Sequence, residues 1–172
     1  MALIYFKSRT CDHLEPLAIA ANITQAPNTW LYHVLTTLAN LYRIYSNLNP
    51  EDSGVHDKIL ASLEKHWRAA DQEPFIVAVV LNPYLRGDFL GRDIALTPIR
   101  LCNMLKRLQL HVFREEADVD FQAAFMDYYN KHAEFFPEAM ALVDWKTMAQ
   151  WNVSFLDLWA TVDLTPSNRN RK

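Results

Sequence analysis

The sequence predicts an all-α fold: an irregular single-domain bundle of about six to eight helices. Three observations carry that expectation. Only 3 of 172 residues are glycine, too few for the turns of an all-β fold or the phosphate loops of a Rossmann-like one. Hydrophobic residues make up 51% and aromatics 12%, enough apolar side chain for a real core in one domain. Apolar residues recur at spacings of three and four through most of the chain, the period of a helix with one buried face.

Each element has a local reason. Residues 14–26 read as a short helix starting near Pro16. Asn28 and Thr29 are placed to cap the next helix, where Trp30, Leu31, Val34, Leu35, Leu38, Leu41, Tyr42 and Tyr45 form a wide apolar stripe. The Asn, Pro, Asp, Ser and Gly residues between Asn47 and Gly54 end that helix. A third helix places Val55, Ile59, Leu60, Leu63, Trp67 and Ala70 on one face. The run Phe75–Leu81 has the β-branched content of a strand and the length of a buried helix. Helix is the reading taken, because no partner strand is visible.

Thr97-Pro98 is a start signal, with Thr as N-cap and Pro at the first helical position. Ile99, Cys102, Leu105, Leu108 and Val112 follow on one face. Asp118 or Asp120 starts a helix carrying Phe121, Phe125, Tyr128, Tyr129 and His132. Pro137 opens a last helical region with Met140, Val143, Trp145, Met148, Trp151, Phe155, Leu156 and Trp159. The predicted domain therefore covers residues 1–163, and 164–172 form a polar, disordered tail.

Charge is unevenly distributed about a net −3. Residues 86–114 carry +4 and residues 115–163 carry −8. The acidic block argues against a general nucleic-acid binder, whereas the basic segment allows a single basic face. Cys11 and Cys102 are far apart, with no Cys-x-x-Cys pair, so a thiolate zinc site is not expected and a reducing compartment is. No signal peptide core is present and no apolar run approaches the ~20 residues that span a bilayer, so a soluble intracellular protein is expected.

Candidate chemistry is sparse. Cys11-Asp12-His13 are adjacent and do not project to one face, and His33, His56, His111 and His132 are scattered singly. Glu115, Glu116, Asp118 and Asp120 form a solvated cluster at a helix start, favoured by the positive end of the helix dipole. No phosphate loop, nucleophile elbow, kinase signature or His-Glu-x-x-His zinc motif occurs. Neither a metal, a cofactor nor a catalytic residue is therefore expected, and the chain reads as a non-enzyme. Trp67 is either a core residue or an aromatic platform for distorted DNA. Arg86, Arg92, Arg100, Lys106, Arg107 and Arg114 are either a solvated face or phosphate contacts.

The block Leu63–Arg86 has a specific order: a charged Trp-bearing helix, a polar joint Asp71–Pro74, an apolar plug, an Asn82-Pro83 stop, then an aromatic and a base. In that order it resembles the middle of fungal-type hAT DNA transposases. Leu14-Glu-Pro-Leu17, the Thr29-led helix, the acidic turn before Trp145 and the run Phe155–Ala160 follow the family's order as well, so the resemblance covers roughly residues 12–160. His66 departs from it, standing where relatives commonly have Arg. The family's catalytic acids lie on an RNase H-like sheet upstream and in a motif downstream, in segments these 172 residues do not contain.

The resemblance implies a non-catalytic fragment or domesticated remnant: a helical insertion region that holds transposon ends and neighbouring subunits. Trp67, Arg68, Arg100, Lys106, Arg107 and Arg114 are the DNA contacts it would use, weakly and in a salt-sensitive way, in the nucleus. The alternative is a small helical protein–protein interaction module with Trp145, Trp151 and Trp159 as partner or homo-oligomer contacts.

Overall fold

The computed structural model describes residues 2–47, 53–86, 88–90 and 96–136. The fold is all-α. Six α-helices form among the described residues: α1 Ala2–Gln25, α2 Leu31–Ser46, α3 Ser53–Ala69, α4 Glu73–Leu81, α5 Pro98–Phe113 and α6 Val119–Tyr129. Two short 3-10 turns, Asp88–Leu90 and Ala133–Phe135, complete them, and no strand occurs among these residues. The predicted helix over Phe75–Leu81 is α4. None of the described helices is long and apolar enough to cross a membrane. Contacts gather into two compact units, Met1–Val79 and Val80–Lys172, each described by itself.

In the first unit α2 is central, packing against α1 and against α3. Ala20, Leu41 and Tyr45 are buried together, with Leu17, Ile59, Leu60 and Leu63 packed around them. The sequence reading starts the first helix near Pro16, but α1 runs from Ala2 straight through that proline. A proline inside a helix removes one N–H and crowds the carbonyls a turn earlier. Here the His13 carbonyl on that turn accepts a hydrogen bond from the Tyr45 hydroxyl of α2, so a tertiary contact stabilises the weak point.

The start of α2 also differs from the expected Asn28–Thr29 cap. The Thr29 hydroxyl donates back to the Ile23 carbonyl at the end of α1, and the N-cap position falls to Trp30. An indole has no acceptor to offer. His33 supplies it instead, its Nδ1 accepting from the Trp30 backbone N–H at 3.2 Å, in the role Glu or Gln usually plays at that position.

The buried face of α3 is rotated from the expected one. Val55 is exposed and Ala70 lies beyond the helix end, whereas His56 is buried at 4% exposure. His56, Leu60, Leu63 and Trp67 keep a 4-3-4 spacing, which satisfies the helical period as well as the stripe starting at Val55 does. Gln72 closes the end of α3, its amide donating to the Trp67 carbonyl at 3.1 Å.

In the second unit α5 packs against α6, and α6 against the 133–135 turn. The caps are those expected: Thr97 Oγ1 accepts from Arg100 N at 3.4 Å, and Asp118 Oδ1 accepts from Phe121 N at 2.7 Å. Leu101, Cys102, Phe125, Tyr128 and Phe135 are buried. Ile99, expected in the core, is 67% exposed, and Leu101 takes its place. The two lie 200° apart around the helix, and α6 covers the side that holds Leu101 and Cys102.

Candidate functional sites

The basic residues of α5 divide into two sets. At 100° per residue, Arg100, Arg107 and Arg114 fall within about 40° of one another, on a stripe about 21 Å long. All three are exposed. The stripe faces away from Leu101, Leu105 and Val112, so the helix's own amphipathicity puts it in solvent. Its far end is set by backbone geometry: Arg114 is the left-handed C-cap, φ 61°, with its N–H on the Leu110 carbonyl at 3.0 Å. Lys106 leaves the stripe and donates to Gln122 Oε1 of α6 at 2.8 Å. Glu115 and Glu116 follow Arg114 directly and are exposed. Burial pushes the Cys102 thiol up, with Lys106 opposing.

Trp67 and Arg68 lie in the other unit. Trp67 is half-buried, its ring edge-on to Phe75 with centroids 6.1 Å apart. It lines the α2–α3 groove with Leu35, Leu38, Tyr42 and Leu63. Trp67 is thus at the edge of the packed helices and outside the buried core. Arg68 is exposed and pairs with Glu64 one turn earlier at 3.0 Å, a surface ion pair of small energetic weight.

Sequence reasoning missed two clusters. In the first, His13 of α1 and His56 of α3 meet with Nδ1 and Nε2 3.3 Å apart, beside the Tyr45 ring. One ring nitrogen must carry the hydrogen and the other must accept it. The detectable signal was the position of His56 in the 56-60-63-67 stripe. The second cluster centres on Arg86, counted with the basic segment but only 2% exposed and so withdrawn from any polyanion. Its Nε donates to the Pro83 carbonyl at 3.1 Å, one terminal nitrogen to Tyr128 O at 3.1 Å, and the other to Phe135 O at 2.8 Å. The guanidinium carbon also lies 4.9 Å from the centre of the Tyr128 ring.

Arg86 thus ties the turn after α4 to the end of α6 and to the 133–135 turn. Asn82 shapes that turn, its Oδ1 accepting from Tyr84 N at 3.0 Å and its carbonyl from Arg86 N at 2.8 Å. The Tyr128 hydroxyl closes the assembly on the Val80 carbonyl at 2.8 Å. Burial lowers the Arg86 pKa and raises that of Tyr128; each opposes the shift of the other. The Asn-Pro-aromatic-basic order of the sequence is here a folding device.

No group of three or more His, Cys, Asp or Glu side chains among the described residues is arranged to hold a metal ion. Arg92, Trp145, Trp151 and Trp159 lie outside the described residues. Comparison of the chain with protein-family models, with curated proteins and with solved structures finds no match.

Proposed function

We propose that this chain is a non-catalytic binding module of hAT-transposase ancestry that contacts nucleic-acid phosphates along α5. The observation that carries the reading is the stripe Arg100, Arg107 and Arg114, three exposed guanidiniums at seven-residue spacing on a helix with a sound N-cap. A solvated helix face is the simplest alternative use of the same residues. The stripe is narrow, and Glu115 and Glu116 limit it at one end, so the expected binding is weak and without base specificity. Trp67 has no part in this proposal, and Lys106 is secondary because it lies off the stripe, about 120° round the helix from Arg100. A nuclear location follows if DNA is the partner.

Three phosphate contacts correspond to a slope of log K against log salt of about −2.7 for duplex DNA. Fluorescence anisotropy with a labelled duplex, at salt from low to physiological, measures it. Replacing Arg100, Arg107 and Arg114 by Gln together is expected to flatten the slope towards zero. Absence of binding at low salt refutes the proposal.

A second reading, a protein-interaction module, is favoured by apolar side chains in the second unit. Leu110, Val112, Phe113 and Val119 are exposed, Phe113 at 69%. Concentration-dependent mass in light scattering supports this reading; a monomer at all concentrations that captures no partner counts against it.

A further inference from the structure

The His13–His56 pair has dimensions that a hydrogen bond does not require. His13 Nδ1 and His56 Nε2 are 3.3 Å apart, beyond the ~2.7–3.2 Å usual for hydrogen bonds donated by N–H. Two nitrogens held ~2.0–2.1 Å from one ion at the tetrahedral angle are about 3.3 Å apart, and at the right angle of a square-planar site about 2.9 Å. The observed spacing is the tetrahedral one.

The rings are turned as well as spaced for a shared ion. Their centres are 5.1 Å apart and their planes meet at 70°. With each nitrogen's lone pair aimed straight at the other, the centres would lie about 5.6 Å apart. With both aimed at one tetrahedral ion, each ring tilts by about 36° and the centres lie about 5.2 Å apart. The two helices that carry the pair are braced by the third. His56 is buried, its ring 5.9 Å from the Tyr45 ring of α2, and the Tyr45 hydroxyl donates to the His13 carbonyl. His13 retains solvent exposure, so the pair stands at the edge of the core.

The donor set restricts the ion. Imidazole nitrogens suit zinc, copper or nickel, whereas calcium and magnesium take oxygen. Tetrahedral spacing favours zinc over the square-planar ions. We propose that His13 Nδ1 and His56 Nε2 bind one zinc ion that joins α1 to α3. Each ring then carries its hydrogen on its other nitrogen, whereas in the hydrogen-bonded pair one of the facing nitrogens carries it. Cys11 and Asp12 do not complete the set, because they lie about 200° and 100° round α1 from His13. Two protein ligands are fewer than the three or four of catalytic and structural zinc centres, so the expected affinity is modest. The site lies in the first unit and the arginine stripe in the second, so neither proposal depends on the other.

The test adds zinc chloride to the metal-free full chain. The expected result is a rise in Tm that grows with zinc concentration and is absent with magnesium. In ¹⁵N spectra of the histidine rings, His13 Nδ1 and His56 Nε2 are expected to move while His33, His66, His111 and His132 stay in place. The rise in Tm is expected to be lost in His13→Gln and in His56→Phe, with folding checked by circular dichroism, and kept in Cys11→Ser. The ring spectra need no variant, so they decide even where a substitution disturbs folding. No response to zinc overturns the proposal, because the pair is then a bent hydrogen bond with the same two distances. A response that survives in His13→Gln, is lost in Cys11→Ser, or moves other ring nitrogens instead also overturns it, because the ion is then bound elsewhere.

Discussion

Replacing Arg86 by alanine removes three hydrogen bonds from a charged donor, at 3.1, 3.1 and 2.8 Å, and a cation–π contact at 4.9 Å. It also takes one donor from each of the Pro83, Tyr128 and Phe135 carbonyls, in a region where all three residues are buried, although Tyr128 O still accepts from Lys131 N at 3.2 Å. A hydrogen bond to a charged group contributes about 1.5–3 kcal/mol, but such terms do not add, because one loss relaxes the others. Removal of the buried charge also relieves its desolvation. No charge is left unpaired, because the partners are neutral carbonyls, so the net expected loss is about 3 kcal/mol, the size of one or two such bonds. Against a typical domain stability of about 5–15 kcal/mol it leaves the second unit marginal.

Two further variants separate the causes. Arg86→Lys keeps a charge but loses the planar fork that reaches three carbonyls, and is expected to recover less than half of the loss. Arg86→Gly loses the same bonds but relieves the left-handed backbone, φ 45°, and is expected to be about 1 kcal/mol better than Arg86→Ala. Hydrogen exchange of the Phe125 and Tyr128 amides reports on the second unit alone. An Arg86→Ala chain within about 0.5 kcal/mol of the unaltered one, a shift ordinary for surface positions, refutes the argument.

Two other outcomes follow from the first unit. Burial lowers the His33 pKa, and its Nδ1 must be unprotonated to accept from Trp30 N. The cap's contribution, about 1 kcal/mol, is therefore fully present above the unfolded value near 6.5 and is lost as pH falls through the lower folded value. His33→Gln keeps an acceptor and is expected to flatten that part of the stability–pH curve measured by urea denaturation; an unchanged curve rejects the cap as its source. Trp67→Ala is expected to destabilise the first unit by about 2 kcal/mol, less than a fully buried tryptophan would. The same variant is expected to leave DNA affinity at fixed salt unchanged, and a clearly weaker affinity would return Trp67 to the contact surface.

The parts of this protein legible in the sequence are those decided within a few residues. Thr97 and Asp118 cap their helices because a side-chain oxygen three residues from an orphan N–H reaches it whatever the rest of the chain does. The 75–81 run is helical, and the helical period marks α2, α3, α5 and α6 without knowledge of their neighbours. The period does not say which face of a helix is covered. His56 rather than Val55, and Leu101 rather than Ile99, are buried because α1 and α2, or α6, lie on that side. The His13–His56 pair joins residues 43 positions apart, and Arg86 reaches carbonyls 42 and 49 positions away. Local hydrogen bonding and periodicity fix helices through short-range geometry, whereas the pairing of buried polar groups depends on which distant backbone and side-chain atoms the packing brings within 3 Å.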